Sequence, residues 1–191
     1  MDLLLSISTD LSLRVVRPSE AGALFSLVQK NRRHLRRWLP WVDQMQIPYD
    51  ARRFLEASYA GYLQRGGFNF GIRYRGSLVG LIGFHGFDYA NRVTSIGYWL
   101  AESHCGQGIM RQAVVACVEY AFQEREMNRL FIRSAPGNER SRRISEVLGF
   151  VYEGRQREAE WLHDQFVDLD VFSLLAREWR AAGTQREREK S

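Results

Sequence analysis

Apolar residues in the first third of the chain recur first at strand-like and then at helical spacing. A short alternating stretch predicts one strand, and apolar positions three or four residues apart predict amphipathic helices behind it. A basic stretch, NRRHLRRWLPW, lies between these helices and is interrupted by Pro40. The predicted elements are a strand at 11–17, a helix at 21–28 and a helix at 49–64.

The spacing changes to an alternating pattern after Gly66-Gly67, which mark a turn. A tight hairpin is predicted at Arg75-Gly76-Ser77, a helix end at Gly149, and a last turn near His163-Asp164. The predicted elements are strands at 68–74, 78–84, 92–101, 130–134, 150–157 and 166–174, and helices at 106–123 and 138–148.

This order of elements predicts an α+β fold with a mixed, mostly antiparallel sheet flanked by helices. The length of 191 residues suits one domain, which we expect to span 1–182. Beyond Trp179 the sequence AAGTQREREKS is charged and lacks an apolar face, so 183–191 is expected to be a disordered tail.

Composition excludes several classes of protein. Cys105 and Cys117 can form neither a disulfide framework nor a four-ligand zinc site, and the histidines show no metal-ligand spacing, so no metal is expected. No apolar run is long enough to span a bilayer. The start, MDLLLSISTD, has an aspartate where a secretory signal carries positive charge. We therefore expect a cytoplasmic protein that makes no membrane contact.

The basic residues are almost all arginine. Lys30 and Lys190 are the only lysines among 27 basic residues, and 22 acidic residues leave a net charge of +5. Such an excess points to nucleic acid, a phosphate-bearing ligand or an acidic partner. The alternative is a set of solvated arginines without a common role.

The passage IGYWLAESHCGQGIMRQAVVACVEYAF places Gly106 and Gly108 between a predicted strand and a predicted helix. Glycines there let a ligand approach the backbone, and the free N–H groups of a helix start bind anions such as a diphosphate. A dinucleotide fingerprint would need a third glycine where Arg111 stands, and a P-loop would need a lysine that is absent. A tight loop without a ligand is the other interpretation.

Several segments in the same order resemble the GNAT superfamily of N-acetyltransferases, and in particular its RimJ/RimL branch, whose members acetylate ribosomal-protein N-termini. These segments are GYWL, CGQGIM and GNERSRRISEVLGFVYEG, with NRRHLRRWLPWVD and EAEWLHDQFVDLDVFSLLAREW typical of the branch. The resemblance covers nearly the whole chain. It departs from the superfamily's loop pattern at Cys105 and Met110, which we expect to alter the loop without abolishing the site.

The resemblance implies that acetyl-CoA binds in an opening between the strand ending near Ala101 and the strand at 130–134. Backbone N–H groups at the loop would hold the pyrophosphate, aided by the helix dipole. The residues implied at the cofactor are Trp99, Leu100, Cys105, Gly106, Gln107, Gly108, Ile109, Met110, Arg111, Asn138, Ser141 and Arg142.

The resemblance also implies direct attack of an amine on the thioester in a ternary complex. Ser141 would face the departing sulfur and Glu160 would serve as base through water, with Glu158 as its rival. The backbone N–H near Leu100 is the expected oxyanion donor. An acyl-cysteine intermediate at Cys105 is a further alternative.

The acceptor site is expected between the first third of the chain and the last predicted hairpin. Its arginines at 32, 33, 36 and 37 would attract acidic residues of a protein substrate. The expected acceptor is a protein or peptide N-terminus, with no direct nucleic-acid contact and with a homodimer as a possible assembly. The alternatives are acetylation of a small amine, and a noncatalytic RNA-binding or ribosome-binding module. The residues predicted to bind the acceptor are Trp38, Trp41, His85 and Trp161.

Overall fold

The computed structural model describes residues 2–188, which form one eight-stranded sheet with helices on its two faces. The strand order is β1-β2-β3-β4-β5-β6-β8-β7. Every neighbouring pair is antiparallel except β5 and β6, which run parallel. The strands are β1 Leu4–Ser6, β2 Leu11–Val15, β3 Phe68–Tyr74, β4 Ser77–Asp88, β5 Val93–Leu100, β6 Arg129–Ser134, β7 Val151–Leu162 and β8 Gln165–Leu175.

Helices fill the connections before β3, between β5 and β6, and between β6 and β7. Short 3-10 turns precede α1, follow α2 and follow β5, and a π-helical turn at Tyr120–Glu124 ends the α4 segment. The helices are α1 Ala21–Lys30, α2 Arg32–Arg36, α3 Pro48–Leu63, α4 Ile109–Glu119, α5 Glu139–Val147 and α6 Ala176–Arg188.

The alternating strands separate two buried clusters, one on each face of the sheet. Phe70, Ile82 and Ile96 pack with α4 on the first face. Leu81 and Trp99 point the other way and pack with α1, α2 and α3. Burial of apolar side chains on both faces is the main force that holds the helices against the sheet.

The pairing between β5 and β6 is short. It covers Val93–Ser95 against Arg129–Phe131, after which the two strands separate. The other edge of β5 pairs with β4 as far as Leu100, and β6 pairs with β8 as far as Ser134. The sheet therefore opens at its centre, where β5 and β6 end.

The predicted α+β fold with a mixed, mostly antiparallel sheet is confirmed. The hairpin predicted at Arg75-Gly76-Ser77 forms with positive φ at Arg75 and Gly76. Gly149 ends α5 with a φ of 82°. The sequence did not predict β1, which pairs with β2 at the sheet edge.

The C-terminal end differs from the expectation of a disordered tail at 183–191. Helix α6 continues through residues 183–188, and 189–191 lie outside the described residues. The limits of the domain at 1–182 stay a prediction. Within residues 2–188 no helix is both long and apolar enough to cross a membrane.

Gly80 permits the close approach of β4 to β5. A Cβ at this position would collide with the Trp99 carbonyl oxygen and lie 3.0 Å from the Leu100 Cα. We predict that Gly80→Ala lowers the free energy of unfolding by about 1–3 kcal/mol. Gly22→Ala is the matched control, because a Cβ on this helical glycine meets open space and should stabilise by about 0.5–1 kcal/mol. Denaturant unfolding measures both, and equal effects would contradict this packing.

Candidate functional site

A cavity of about 470 Å³ occupies the opening beyond the ends of β5 and β6. It lies between α2 on one side and the starts of α4 and α5 on the other. Trp38 comes from the turn after α2, Tyr98 from β5, and Ser141 from α5, so residues far apart in sequence meet here. Its volume falls within the range of pockets that bind small molecules and cofactors.

The loop between β5 and α4 presents backbone N–H groups to this cavity. Gly106 and Gly108 have φ values of 80° and 75°; a Cβ on Gly106 would project into open space, and one on Gly108 would meet only the Gln112 Nε2 at 4.0 Å. Helix α4 begins at Ile109, and Gly108 at its N-cap offers no side-chain cap. The first N–H groups of α4 thus remain available, at the positive end of the helix dipole, for an anionic ligand.

The edge of β5 that faces the opening is also unpaired. The Ala101 N–H donates to the Val79 carbonyl oxygen at 2.8 Å, on the side of β4. Because successive N–H groups of a strand point to opposite edges, the Leu100 N–H points toward the opening. β6 has separated from β5 at this level, so this donor is free to bind a ligand oxygen.

Two hydroxyl groups meet beside this edge. The Tyr98 hydroxyl lies 3.0 Å from the Ser141 Oγ, and the Ser141 N–H donates to the Asn138 Oδ1 at 3.3 Å. Asn138 thereby caps α5 and fixes the position of Ser141. Burial raises the pKa of Tyr98 to about 12, so the pair is neutral and holds protons that it can donate. The sequence did not single out Tyr98, which is 43 residues from Ser141.

Cys105 lies at the mouth of the cavity with its Sγ 3.9 Å from the His34 Nε2. Burial is the main influence on this thiol and raises its pKa. A nucleophilic cysteine needs the opposite shift, because the thiolate is the reactive form. The acyl-cysteine alternative is therefore disfavoured, although the sequence missed His34 as a neighbour of this thiol.

Most residues expected at the cofactor line the cavity, but two do not. Gln107 is exposed, and its side-chain amide donates to the Ser103 carbonyl oxygen at 2.9 Å. Arg142 forms an ion pair with Glu146 at 2.8 Å on the far side of α5. The residues expected there that do line the cavity are Trp99, Leu100, Cys105, Gly106, Gly108, Ile109, Met110, Arg111, Asn138 and Ser141.

Arg140 and Arg143 line the cavity in the place expected for Arg142. Each residue of an α-helix is rotated by about 100° from the one before. Residues 140, 143 and 144 therefore lie on one face of α5, and residue 142 lies on another. The motif GNERSRR contains all three arginines. Counting residues from the N-cap at Asn138 would have shown which of the three arginines share a face of the helix.

His85 lies on the opposite face of β5 from Tyr98. Its Nδ1 is 3.1 Å from the Ser95 Oγ, and a Cβ on Gly97 would come within 2.7 Å of its ring. The ring remains accessible to solvent. Desolvation, and secondarily the Arg133 guanidinium, lower the pKa of His85.

Glu160 does not line the cavity but lies in the β7–β8 hairpin, half-buried. Desolvation raises its pKa, and the Arg133 guanidinium acts in the opposite direction. A bulge between Gln156 and Glu160 breaks the strand alternation. Glu158 within this bulge is exposed, so the shared face expected for the two glutamates is not formed. Of the two, Glu160 is the more buried and the one whose pKa is raised.

The end of this hairpin docks on the first third of the chain, so the two segments predicted to form the acceptor site are in contact. His163 is 2.9 Å from the Asp43 carboxylate through Nδ1 and 2.6 Å from the Arg36 carbonyl oxygen through Nε2. Among the predicted tryptophans, Trp38 lines the cavity. Trp41 packs on Trp99, with 6.0 Å between the ring centroids. Trp161, at the end of the hairpin, is 52% exposed.

The basic stretch after α1 is largely structural. Arg32 donates to the Val42 carbonyl oxygen at 2.7 Å and also to that of Met45. Arg36 donates to Asp43 at 2.8 Å, and Arg37 stacks over Trp38. These contacts hold α2 against the 3-10 turn that follows it. Three of the four arginines expected to attract a substrate, Arg32, Arg36 and Arg37, are thus engaged in intramolecular contacts.

An anion-binding helix start, an unpaired strand edge and a neutral hydroxyl pair form the type of site that an acyltransferase with a diphosphate-bearing acyl donor needs. Residues 10–151 match the family model described as acetyltransferase (GNAT) domain. The chain therefore belongs to the GNAT family of acetyltransferases, as its sequence motifs predicted.

Individual relatives agree with this assignment. The chain is 35% identical to YdaF of Bacillus subtilis (strain 168), over 91% of this chain and 95% of the relative. It is 30% identical to the ribosomal-protein-serine acetyltransferase of Escherichia coli (strain K12), over 90% of this chain and 96% of the relative. The solved structure of RimL, a ribosomal L7/L12 alpha-N-protein acetyltransferase in complex with coenzyme A, has a TM-score of 0.88 at 26% identity, covering 92% and 99%.

We predict that Gly108→Val weakens coenzyme A binding roughly 10- to 100-fold, measured by titration calorimetry. Its side chain would enter the space in front of the α4 N–H groups, and each lost charge-assisted hydrogen bond costs about 1.5–3 kcal/mol. Gly76→Val is the control, because Gly76 has a similar φ of 78° and open surroundings but lies in the β3–β4 turn. Equal coenzyme A affinity in both variants would contradict the assignment of this loop.

Proposed function

We propose that this protein is an acetyl-CoA-dependent N-acetyltransferase whose acceptor is the α-amine at the N-terminus of a protein. The observation that carries the proposal is the opening between β5 and β6. The anion-binding loop and the Tyr98–Ser141 pair lie at this opening, and His85 lies on the other face of β5. The relatives named as ribosomal-protein acetyltransferases support a protein acceptor. A ribosomal protein, a cytoplasmic location and a homodimer are parts of this proposal.

The cavity fits acetyl-CoA in its chemistry. The N–H groups from Gly106 to Met110 would hold the diphosphate, and Arg111, Arg140 and Arg143 add positive charge around the cavity. Apolar side chains such as Trp38 and Ile144 line the remainder and would cover the pantetheine arm. A Cβ at Gly106 would meet no atom of the protein, so the space beside this loop is open to a ligand.

Bound acetyl-CoA supplies a thioester that an uncharged amine attacks. The Leu100 N–H would stabilise negative charge that develops on the carbonyl oxygen. Ser141, hydrogen-bonded to Tyr98, would donate a proton to the departing sulfur. Glu160 would receive the proton of the incoming ammonium group through water, on the acceptor side.

The choice of an α-amine follows from the weak base that the site offers. An α-amine has a reference pKa of about 8 and a lysine amine of about 10.4. A carboxylate acting through water can more readily deprotonate the first. Even with the raised pKa of Glu160, a lysine side chain would stay protonated in most encounters.

Two other functions compete with this proposal. A small cationic amine such as a polyamine is disfavoured, because the exposed Arg133 guanidinium lies on the acceptor side. A noncatalytic RNA-binding module would need basic residues that are free to meet phosphates, whereas Arg32 and Arg36 are engaged in the fold. Binding of such a module would depend steeply on salt and would not respond to coenzyme A.

The direct test is incubation with acetyl-CoA and a panel of ribosomal proteins, N-terminal peptides, polyamines and amino sugars. Tandem mass spectrometry then locates the added acetyl group. The proposal expects acetylation of at least one protein or peptide at its α-amine. Acetylation confined to small amines would replace the proposal with the second enzyme function.

We predict that Ser141→Ala lowers kcat roughly 10- to 100-fold, because the proton donor at the sulfur is lost. The affinity for coenzyme A should stay within about twofold, since Ser141 contributes one hydroxyl to a large contact area. Stopped-flow thiol detection and calorimetry measure the two quantities. A wild-type kcat in this variant would remove the role assigned to Ser141.

We predict that Glu160→Gln lowers kcat/KM by about 100-fold near pH 7. In the wild type, kcat/KM should fall with decreasing pH as this carboxylate is protonated, and the raised pKa moves that fall to higher pH than for an ordinary glutamate. Glu158→Gln is the control, with the same change of charge two residues away on an exposed side chain. Equal rates for the two variants would contradict the choice of Glu160.

A further inference from the structure

Arg133 lies opposite His85 across the opening of the sheet. Phe131 of β6 is the last residue that pairs with β5, where it faces Ser95. Two residues further along each strand lie Arg133 and Gly97, at the same level but no longer paired. The His85 ring covers Gly97. Since side chains two apart share a face, Arg133 points to the face on which His85 and Ser95 lie.

The guanidinium of Arg133 has no hydrogen bond or ion pair within residues 2–188. Its exposed side chain nevertheless influences both His85 and Glu160 electrostatically. The neighbouring arginines on β6 and β7 differ. Arg129 is paired with Glu153 at 2.5 Å, and Arg155 with Asp170 at 2.8 Å. Arg133 is thus a cation on the acceptor side that makes no hydrogen bond or ion pair with residues 2–188, although the Glu160 carboxylate is near enough to interact with its charge.

We propose that Arg133 is a specificity residue that binds a carboxylate side chain near the N-terminus of the acceptor protein. The inference rests on the proposed function, because it takes the acceptor α-amine to enter between Arg133 and His85. A guanidinium binds a carboxylate with two parallel hydrogen bonds, which a lysine or a neutral side chain of the acceptor does not offer.

The position of Arg133 limits which acceptor residues it reaches. An extended chain advances about 3.3–3.6 Å per residue, so a side chain at the rim of the opening meets the residues directly after the acetylated one. Arg133 does not line the cavity assigned to coenzyme A, where Arg111, Arg140 and Arg143 already supply positive charge. Binding of the cofactor phosphates therefore does not explain why an unpaired arginine stands at position 133.

The surface next to Arg133 has room for the acceptor chain that follows. Val171, the β8 partner of Arg133, and Phe131 line a shallow groove of about 340 Å³ with Gly154 and Gln156. The groove lies on the same side as Arg133, because Phe131 is two residues away on β6. An extended peptide segment leaving the opening over β6 would pass along it.

The experiment compares acetylation of synthetic peptides that share their first residue and carry glutamate or glutamine at position 2, 3 or 4. For each pair, kcat/KM of the wild type, Arg133→Gln, Arg133→Lys and Arg53→Gln is measured at low and high salt. Arg53 is exposed on α3, away from the opening, and controls for the loss of one positive charge. Fluorescence anisotropy measures the affinity of each peptide for the complex of the protein with coenzyme A. The ratio of the affinities for the glutamate and glutamine peptides is thereby obtained without turnover.

We expect the wild type to prefer glutamate over glutamine by about 3- to 10-fold at one of these positions, and less at high salt. Arg133→Gln should bring this ratio to about 1 while Arg53→Gln keeps it, and Arg133→Lys should keep part of it. Loss of rate on both peptides alike would overturn the proposal, because it would show that Arg133 only adjusts Glu160 or His85. An equal preference in wild type and Arg133→Gln would overturn it as well.

Failure of the proposed function gives a different result. Wild-type protein that acetylates and binds none of the peptides, yet acetylates small amines, would overturn the protein acceptor itself. Wild-type protein that acetylates the glutamate and glutamine peptides equally would support the protein acceptor and overturn only the role of Arg133.

Discussion

The short pairing of β5 with β6 is the constraint on which the site depends. Three residue pairs join the two halves of the sheet, and the strands then separate. A buried strand edge must find partners for its N–H and C=O groups, and here no strand supplies them. The edge around Tyr98 and Leu100 is thereby left to a ligand, and the cavity, the hydroxyl pair and the anion-binding loop all lie at this gap.

The two halves of the sheet provide different parts of the chemistry. The first half carries β5, its loop and α4, and so holds the backbone groups proposed to bind the diphosphate and the oxyanion. The second half carries β6, α5 and the β7–β8 hairpin, which hold the proposed functional residues Ser141, Arg133 and Glu160. His163 joins the hairpin to Asp43 and the Arg36 carbonyl, which fixes the second half against the first.

Positive charge has a smaller part in this account than the composition indicated. The net charge of +5 suggested nucleic acid or an acidic partner, but many arginines form internal contacts. Arg32 and Arg36 support α2 and its turn. The α4 N–H groups need no net charge to bind a diphosphate, because the helix start itself is positive. Arg133 is exposed and makes no hydrogen bond or ion pair with residues 2–188, which is why its role is proposed to depend on the acceptor.

The sequence predicts the order of the elements and the loop well, because both depend on local signals. Glycine positions and apolar spacing determine the hairpin at Arg75-Gly76 and the start of α4. The contacts across the opening depend on register instead. The Tyr98–Ser141 pair, the bulge that separates Glu158 from Glu160, and the His85–Ser95 contact each need strand alignments that no local pattern fixes. Arg142 does not line the cavity for a simpler reason, because each step of one residue along a helix rotates the side chain by about 100°.

Amide hydrogen exchange with and without acetyl-CoA tests whether the opening between β5 and β6 binds the cofactor. The Leu100 amide should exchange faster than the paired Ala101 amide in the free protein, because it has no strand partner. On adding acetyl-CoA, exchange should slow at Leu100 and across residues 106–111. Unchanged exchange at these amides, with protection appearing only in the groove of β6, β7 and β8, would contradict the opening as the acetyl-CoA site.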